Sequence, residues 1–486
     1  MYRKDNPHQR MFEDFYLPFG GKLRSDNRWV ILSRRIPWQK IELGYESNFN
    51  GSDTGNVAKS ARVALGALII KERLGLTDRE TVLQIQENPY LQYFLGFPEY
   101  EDKAPFDHSL MVHFRKRFDK ETLAKINEMI VLQVTPSQEA EEVQESSSDD
   151  DPPPENQGKL IMDATCTPAD ITYPTDLKLL NEAREKTEQM IDVMHAPFIG
   201  KRKKPRTYRQ RARYDYLAVA KQKKPGSNKI RKAIRKQLGY LSRNLKTIEA
   251  MAQEDMLRFL DKRLYRLLLV IQELYRQQSR MYKDRSHTIA DRIVSIYQPH
   301  VRPIVRGKVK SPVEFGAKIS VSLVDGFSFV DTLSWDAFNE SSDLVSQVET
   351  YRHRFGFYPA SVHADKIYRT RDNRRFCKKY GIRLSGPPLG RPKQVTEANK
   401  AERAQARRQQ RQDELDRNAI EGKFGQGKRR FTLSRIMAKL AETSEAVIMV
   451  SFIVMNLEKI LSSSILFVFC FIDARAKKMS LPHILS

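Results

Sequence analysis

Three acids, Asp163, Asp365 and Glu421, are the residues whose type and setting best suit chemistry. Asp163 follows the short apolar run Leu160-Ile161-Met162, and Asp365 follows a predicted strand from Ala360 to Ala364. Acids at the ends of neighbouring strands converge on one sheet edge. Glu421 lies in a predicted helix that could pack back against that edge. Converging carboxylates with few nitrogen donors nearby suit hard divalent cations, Mg²⁺ or Mn²⁺. Two such ions, about 3.5–4 Å apart, can activate a water or a 3′-OH and stabilise the leaving oxygen of a phosphodiester displacement.

The surroundings of Glu421 sharpen this choice. Arg417 precedes it by four residues and Lys428 follows by seven, so all three share one helical face. That face would set a metal-binding carboxylate between two phosphate-binding cations. An ordinary solvated charge stripe has the same spacing. Glycines at 422, 425 and 427 argue against the stripe, since each costs a helix about 1 kcal/mol relative to Ala. Close approach of DNA to the backbone would explain them, and so would a broken helix. Three other residues carry less. His363 reads as a strand residue flanking Asp365, Cys166 as a buried thiol with no activating pair, and Trp335 as a core or strand-end contact.

The elements that must position these groups are legible in part. Over 486 residues there are 84 Lys and Arg against 60 Asp and Glu, a net charge of +24. Such an excess points to a polyanionic partner, nucleic acid before an anionic membrane. The window Lys201–Lys246 holds eighteen basic residues and one acid, Asp215. The stretch 135–159 holds eight acids, one base and three consecutive prolines, and reads as an acidic disordered linker. Before it the pattern is helical. Thr77 and Glu80 form a capping box that opens a helix over Asp78–Gln86, and a further helix from Asp107 carries Arg115, Lys116 and Arg117. After it, Ile230 to Ile248 and Leu257 to Tyr275 step by three and four as a helical hairpin. Phe315 to Leu323 alternate, turn at Asp325-Gly326, and return through Phe329. The order after the linker is β, a helical insertion, ββ, α, β, α, β, α.

Three widely separated cysteines offer neither a disulfide framework nor a zinc site, and suit a reducing cytosol. The N-terminus lacks the apolar core of a secretory signal. The apolar runs Ala446–Leu457 and Ile465–Ile472 fall short of the roughly 20 residues a membrane span needs, so no membrane is expected.

Four separated segments, in order, resemble one family. Arg417-x₃-Glu421-x₆-Lys428 is similar to the third-acid signature of bacterial insertion-sequence DDE transposases. HADKIYRTRDNRRFCKKYGIRLSGPPLGRP, His363 to Pro392, resembles their second-acid segment, and LIMDATCTPADITYPTD, from Leu160, their first-acid strand. TDRETVLQIQENPYLQYFLGF and FDHSLMVHFRKRF resemble the N-terminal helices of the insertion-sequence-five-like group. One departure is Glu414, where the family often has Tyr, which removes an expected DNA contact.

The resemblance implies an α+β multidomain chain. A helical DNA-binding domain (1–134) and the linker (135–159) would precede an RNase H-like catalytic domain with a mixed five-stranded sheet. That domain would comprise a first strand (160–177) and a remainder (306–461), interrupted by a basic helical insertion (178–305). A tail (462–486) would follow, either a packed strand or an altered C-terminus. Asp163, Asp365 and Glu421 would bind two Mg²⁺ ions, with Mn²⁺ as a substitute. Arg417, Lys428, Lys366 and Tyr368 would contact DNA near the cut. Arg115, Lys116 and Arg117 would read the terminal inverted repeat, and Lys201, Arg202, Lys203 and Lys204 would hold phosphates. The partners implied are double-stranded terminal repeats, target DNA and a second copy, in a bacterial cytoplasm at the nucleoid.

Three rivals differ in class. A tyrosine recombinase needs an H-x-x-R element, which none of the nine histidines begins. A decayed or domesticated transposase would only bind DNA, and metal-dependent nicking separates it from the enzyme. A membrane-surface protein needs a helix with an exposed apolar stripe, whereas the stripes here read as core.

Overall fold

The computed structural model describes residues 15–17, 20–46, 57–134, 155–305, 313–387 and 397–479. Most of the expected linker (135–154) and of the GPPLGRP turn (388–392) lies outside them, as do the last seven residues. Seven helices come first: α1 (Arg28–Arg35), α2 (Trp38–Glu46), α3 (Ala61–Leu74), α4 (Asp78–Glu87), α5 (Pro89–Phe94), α6 (Leu110–Arg117) and α7 (Lys120–Leu132). Gly75 ends α3 at φ +68°, in the left-handed region that favours glycine. The Thr77 hydroxyl then accepts the Glu80 amide at 3.1 Å and opens α4, as the capping box predicts.

Strand β1 (Lys159–Pro168) leads to the insertion, made of α8 (Asp176–His195), α9 (Arg209–Ala220), α10 (Ser227–Gln253) and α11 (Lys262–Asp284). These helices bury a core of their own around Leu180, Met190, Leu241, Ile248 and Ile271. The expected hairpin is α10 and α11. Its long partner α8 was not anticipated. The one acid of the basic window, Asp215, is buried and accepts from Lys236 at 2.7 Å and Tyr240 at 2.9 Å, so it clamps α9 to α10.

The remaining elements are β2 (Arg302–Val305), β3 (Val313–Val324), β4 (Phe327–Ser334), α12 (Asp343–Phe355), β5 (Ser361–His363), α13 (Arg371–Lys379), β6 (Arg383–Leu384), α14 (Glu397–Arg430) and α15 (Ala441–Met479). Among the described residues the sheet has six strands, not five. Strands β4, β3 and β1 run antiparallel, and β1, β5 and β6 parallel. The sixth, β2, pairs with the start of β3, below β4 on the same edge. Its Arg-Pro-Ile-Val sequence carries no alternation that would mark it, and it falls inside the stretch assigned to the insertion.

Strand β1 also runs longer than expected. It continues past Asp163 through Thr165 and Thr167, pairing with β3 from Ile161 opposite Leu323 to Pro168 opposite Gly316. Asp163 therefore sits mid-strand. Beta-branched threonines favour the pleated surface, a signal the apolar run alone does not carry.

The N-terminal helices and the sheet share one hydrophobic core, which joins Leu65 and Ile69 of α3 and Ile126 of α7 to Val321, Phe329 and α15. Within α15, Ala441–Ser463 is long and apolar enough to cross a membrane, contrary to the separate short runs expected, but 72% of its apolar window is buried inside the protein. The tail expected as a strand or an altered end continues the α15 helix to Met479.

Candidate functional site

Register places the first two acids together. In the parallel pair of β1 and β5 the last paired residues are Ile161 and His363, and Asp163 and Asp365 each follow two residues further on, Asp163 still in β1 and Asp365 just past the end of β5. Asp365 leaves the sheet into a 3-10 turn, Lys366–Tyr368, and its carboxylate accepts the Lys366 amide at 2.7 Å. Asp163 likewise accepts the Ala164 amide at 2.8 Å.

Helix α14 brings the third acid across this edge, and its docking is largely charged. Arg383 of β6 grips Asp413 with two bonds of 2.7 and 2.9 Å, and Lys159 of β1 meets Asp416 at 2.7 Å. Ile420 and Phe424 supply the apolar part of the same face. The Arg417 guanidinium then stands 3.7 Å from Asp365 and 3.7 Å from Glu421. Lys428 donates to Thr165, two residues past Asp163, at 3.1 Å. Of the three residues of the spacing, Lys428 thus reaches β1 and Arg417 reaches Asp365, while Glu421 meets Arg417. Helix α14 runs unbroken through its three glycines. At Gly427 a Cβ would meet Leu433 at 2.5 Å, so this glycine serves a close approach within the protein. Around Gly422 there is open space.

Burial pushes the Asp163 carboxyl up to about 6; Glu340 and Asp365 push the same way, while the Ala164 amide and Arg417 oppose. Glu340 is a site residue that the sequence does not reveal. It sits on the short turn Glu340–Ser342 and is held by Lys318 of β3 at 2.9 Å, a pairing that no local spacing announces. Burial holds His363 below the usual histidine range, although Asp413 opposes it. Its ring is fully buried between the Ser361 hydroxyl, 2.9 Å away, and Asp413, so it flanks the site without facing it.

Two expected DNA contacts are corrected. Tyr368 is 0% exposed. The 3-10 turn after Asp365 carries it inward, where burial raises its phenol beside Glu340 and Asp163, so it floors the site and cannot touch DNA there. Arg115 is also buried, paired through both terminal nitrogens with Asp78 at the start of α4. It holds α6 to α4. Lys116 beside it is exposed, and Arg117 is half-buried and donates to Tyr45 at 3.2 Å. Lys366 is exposed next to Asp365. Of the basic run, Lys201, Arg202, Lys203 and Lys204 are all exposed, with Arg202 paired to Glu254 and Lys204 to Asp192. Cys166 is a buried thiol outside any disulfide, and Trp335 is half-buried and donates to Glu445 at 2.8 Å.

The donors at this edge are carboxylate oxygens, the chemistry that Mg²⁺ and Mn²⁺ take, and Asp163 is raised first by burial and then by its acidic neighbours. Among the described residues no three His, Cys, Asp or Glu side chains are grouped closely enough to hold a metal ion. Between Asp365 and Glu421 the bridging cation is the Arg417 guanidinium. The donor set fits a hard divalent ion in kind, and Glu421 would have to turn away from Arg417 to join it.

Two family models match the chain. One, described as a transposase DDE domain, matches residues 362–458, which include Asp365, Arg417, Glu421 and Lys428 but not Asp163. The other, described as a transposase domain, matches residues 18–117. The chain is also 29% identical to the "Uncharacterized protein ORF8 in nfe locus" of Rhizobium meliloti, over 154 residues that make up 32% of this chain and 68% of the relative. No solved structure matches.

Proposed function

We propose that the chain is an insertion-sequence DDE transposase, a reading that its two transposase-domain matches support, and that it cuts the phosphodiester bond at the ends of its own element and transfers the 3′-OH to target DNA. The observation that carries this reading is the placement of Asp163 in β1 beside Asp365 just past the paired end of β5, with Arg417 of α14 between Asp365 and Glu421 and Lys428 on Thr165 of β1. The mixed sheet, antiparallel on one side of β1 and parallel on the other, supports an RNase H-like catalytic domain.

Asp163, Asp365 and Glu421 would hold two Mg²⁺ ions, which when bound activate the attacking water or 3′-OH and stabilise the leaving oxygen. The chain's own residues do the rest. Arg417 orients Glu421 and is placed to take a phosphate once that pair opens. Lys366 and Lys428 flank the edge as phosphate donors. Lys116 and Arg117 on α6 face the terminal repeat, and the exposed basic run of the insertion holds its backbone. Two copies would pair two ends, in the bacterial cytoplasm at the nucleoid.

The test is cleavage of a labelled duplex carrying the terminal repeat that flanks the coding sequence, in Mg²⁺ or EDTA. Wild type should cut at the end only with metal. Asp163→Ala, Asp365→Ala and Glu421→Ala should bind and not cut. Binding without cutting by wild type, in Mg²⁺ or Mn²⁺, would make the chain a DNA-binding relic, and cutting by any one variant would remove that acid from the site.

A further inference from the structure

The last turn of α3 sends three consecutive side chains to three different elements. Lys71 pairs with Asp78 of α4 at 3.1 Å. Glu72, 4% exposed, accepts the Thr432 amide at 3.0 Å, the Thr432 hydroxyl at 2.9 Å and the Ser451 hydroxyl at 2.6 Å. Arg73 pairs with Glu458 of α15, which also receives Arg430 at 2.8 Å. Thr432 lies just beyond Arg430, the end of α14, so all but Lys71 converge where the third-acid helix stops.

Resting on the proposed catalytic role of Glu421, we infer that Glu72 is a positioning residue, which fixes the end of α14 and through it the reach of Glu421 and Lys428. A carboxylate this buried is costly unless donors hold it, and each donor here comes from outside its own helix. Apolar packing of α3 on α15 would secure contact without direction. The polar network selects one register and one rotation. Glu421 lies nine residues before Arg430, about 13 Å along a rigid helix, so a turn or slide at the end is carried to it. The close approach of Gly427 to Leu433 pins the same end. On the other side of the hub, Asp78 binds both Lys71 and Arg115, which ties the helices read as end-recognising to the same turn of α3. End recognition and the setting of the third acid thus share one anchor.

The experiment uses the full chain with Glu72→Gln, Thr432→Val and Thr432→Ser, beside wild type and Glu421→Gln. Three quantities are read: affinity for the terminal-repeat duplex, metal-dependent cleavage rate, and amide hydrogen exchange. Glu72→Gln and Thr432→Val should bind within about twofold of wild type and cut tenfold or more slowly. They should exchange faster over residues 421–436 but not over 78–117, and Thr432→Ser should recover the rate. Unchanged exchange over 421–436 would overturn the inference, as would binding and cutting that fall in proportion. If wild type fails to cut while exchange responds as stated, the catalytic reading fails and the anchoring by Glu72 stands.

Discussion

Asp163 is the residue whose surroundings make the sharpest demand. Its carboxyl is pushed up to about 6, first by burial and then by Glu340 and Asp365. The folded value lies above the ordinary 3.8, so the folded chain holds this proton more tightly than the unfolded one. The resulting contribution to stability is fully present below about pH 4 and is lost as pH rises through about 6. Asp163→Asn should therefore stabilise the metal-free protein at pH 7.5 by about 1–2 kcal/mol in urea denaturation, a gain that vanishes near pH 4, while abolishing cleavage. A gain independent of pH would mean that the carboxylate is not under electrostatic strain. The three acids stand out in the sequence because two follow short predicted strands and the third sits in a helical spacing. Tyr368 and Arg115 were misread for a common reason: polar side chains carry no sequence mark of being turned inward. In one case a 3-10 turn does this, and in the other a half-buried Asp78 thirty-seven residues away.

At the scale of elements, α14 decides whether the site exists. Its docking relies on Asp413, which burial alone would raise but which Arg383 and Gln409 hold below the usual carboxylate range. Asp413 also faces His363 beneath the second acid. Removing its charge leaves Arg383 without a partner at the sheet edge and frees the stretch of helix just before Arg417. Asp413→Asn should speed hydrogen exchange over 405–421 and lower cleavage about tenfold, with thermal unfolding shifted by only a few degrees because the hydrophobic core is untouched. Exchange confined to other segments would show that Ile420 and Phe424 suffice to dock the helix. Periodicity located α4, α10, α11, β3 and β4 well, since each shows an apolar stripe, a capping box or a strict alternation. It missed the length of β1, where threonines replace aliphatic residues, and β2, whose four residues gain meaning only from pairing with β3. The charged docking of α14 was invisible, because Arg383 with Asp413 and Lys159 with Asp416 are pairs between distant elements.

For the whole molecule, charge and core are organised separately. The N-terminal helices and the sheet share one core through α15, so the parts read as distinct domains along the sequence form one packed body, and the insertion keeps its own core and most of the net positive charge. On the proposed reading, the exposed cations of the basic run are the ones that meet DNA phosphates. Lys201 and Lys203 are exposed, whereas Arg202 and Lys204 already answer Glu254 and Asp192. Each cation that neutralises a phosphate releases condensed counterions and adds about 0.9 to the slope of log affinity against log salt. Replacing Lys201 and Lys203 together by Ala should therefore lower that slope by about two, measured by fluorescence anisotropy from about 50 to 300 mM salt. The preference for the terminal repeat over an unrelated duplex should not change, because phosphate contacts carry no sequence information. Replacing Arg202 and Lys204 should lower the slope by less, since binding must first release their partners. An unchanged slope in the Lys201 and Lys203 double variant would place the DNA path away from the insertion. A lost preference would mean that this run reads bases, and that the task of recognition is not confined to α6.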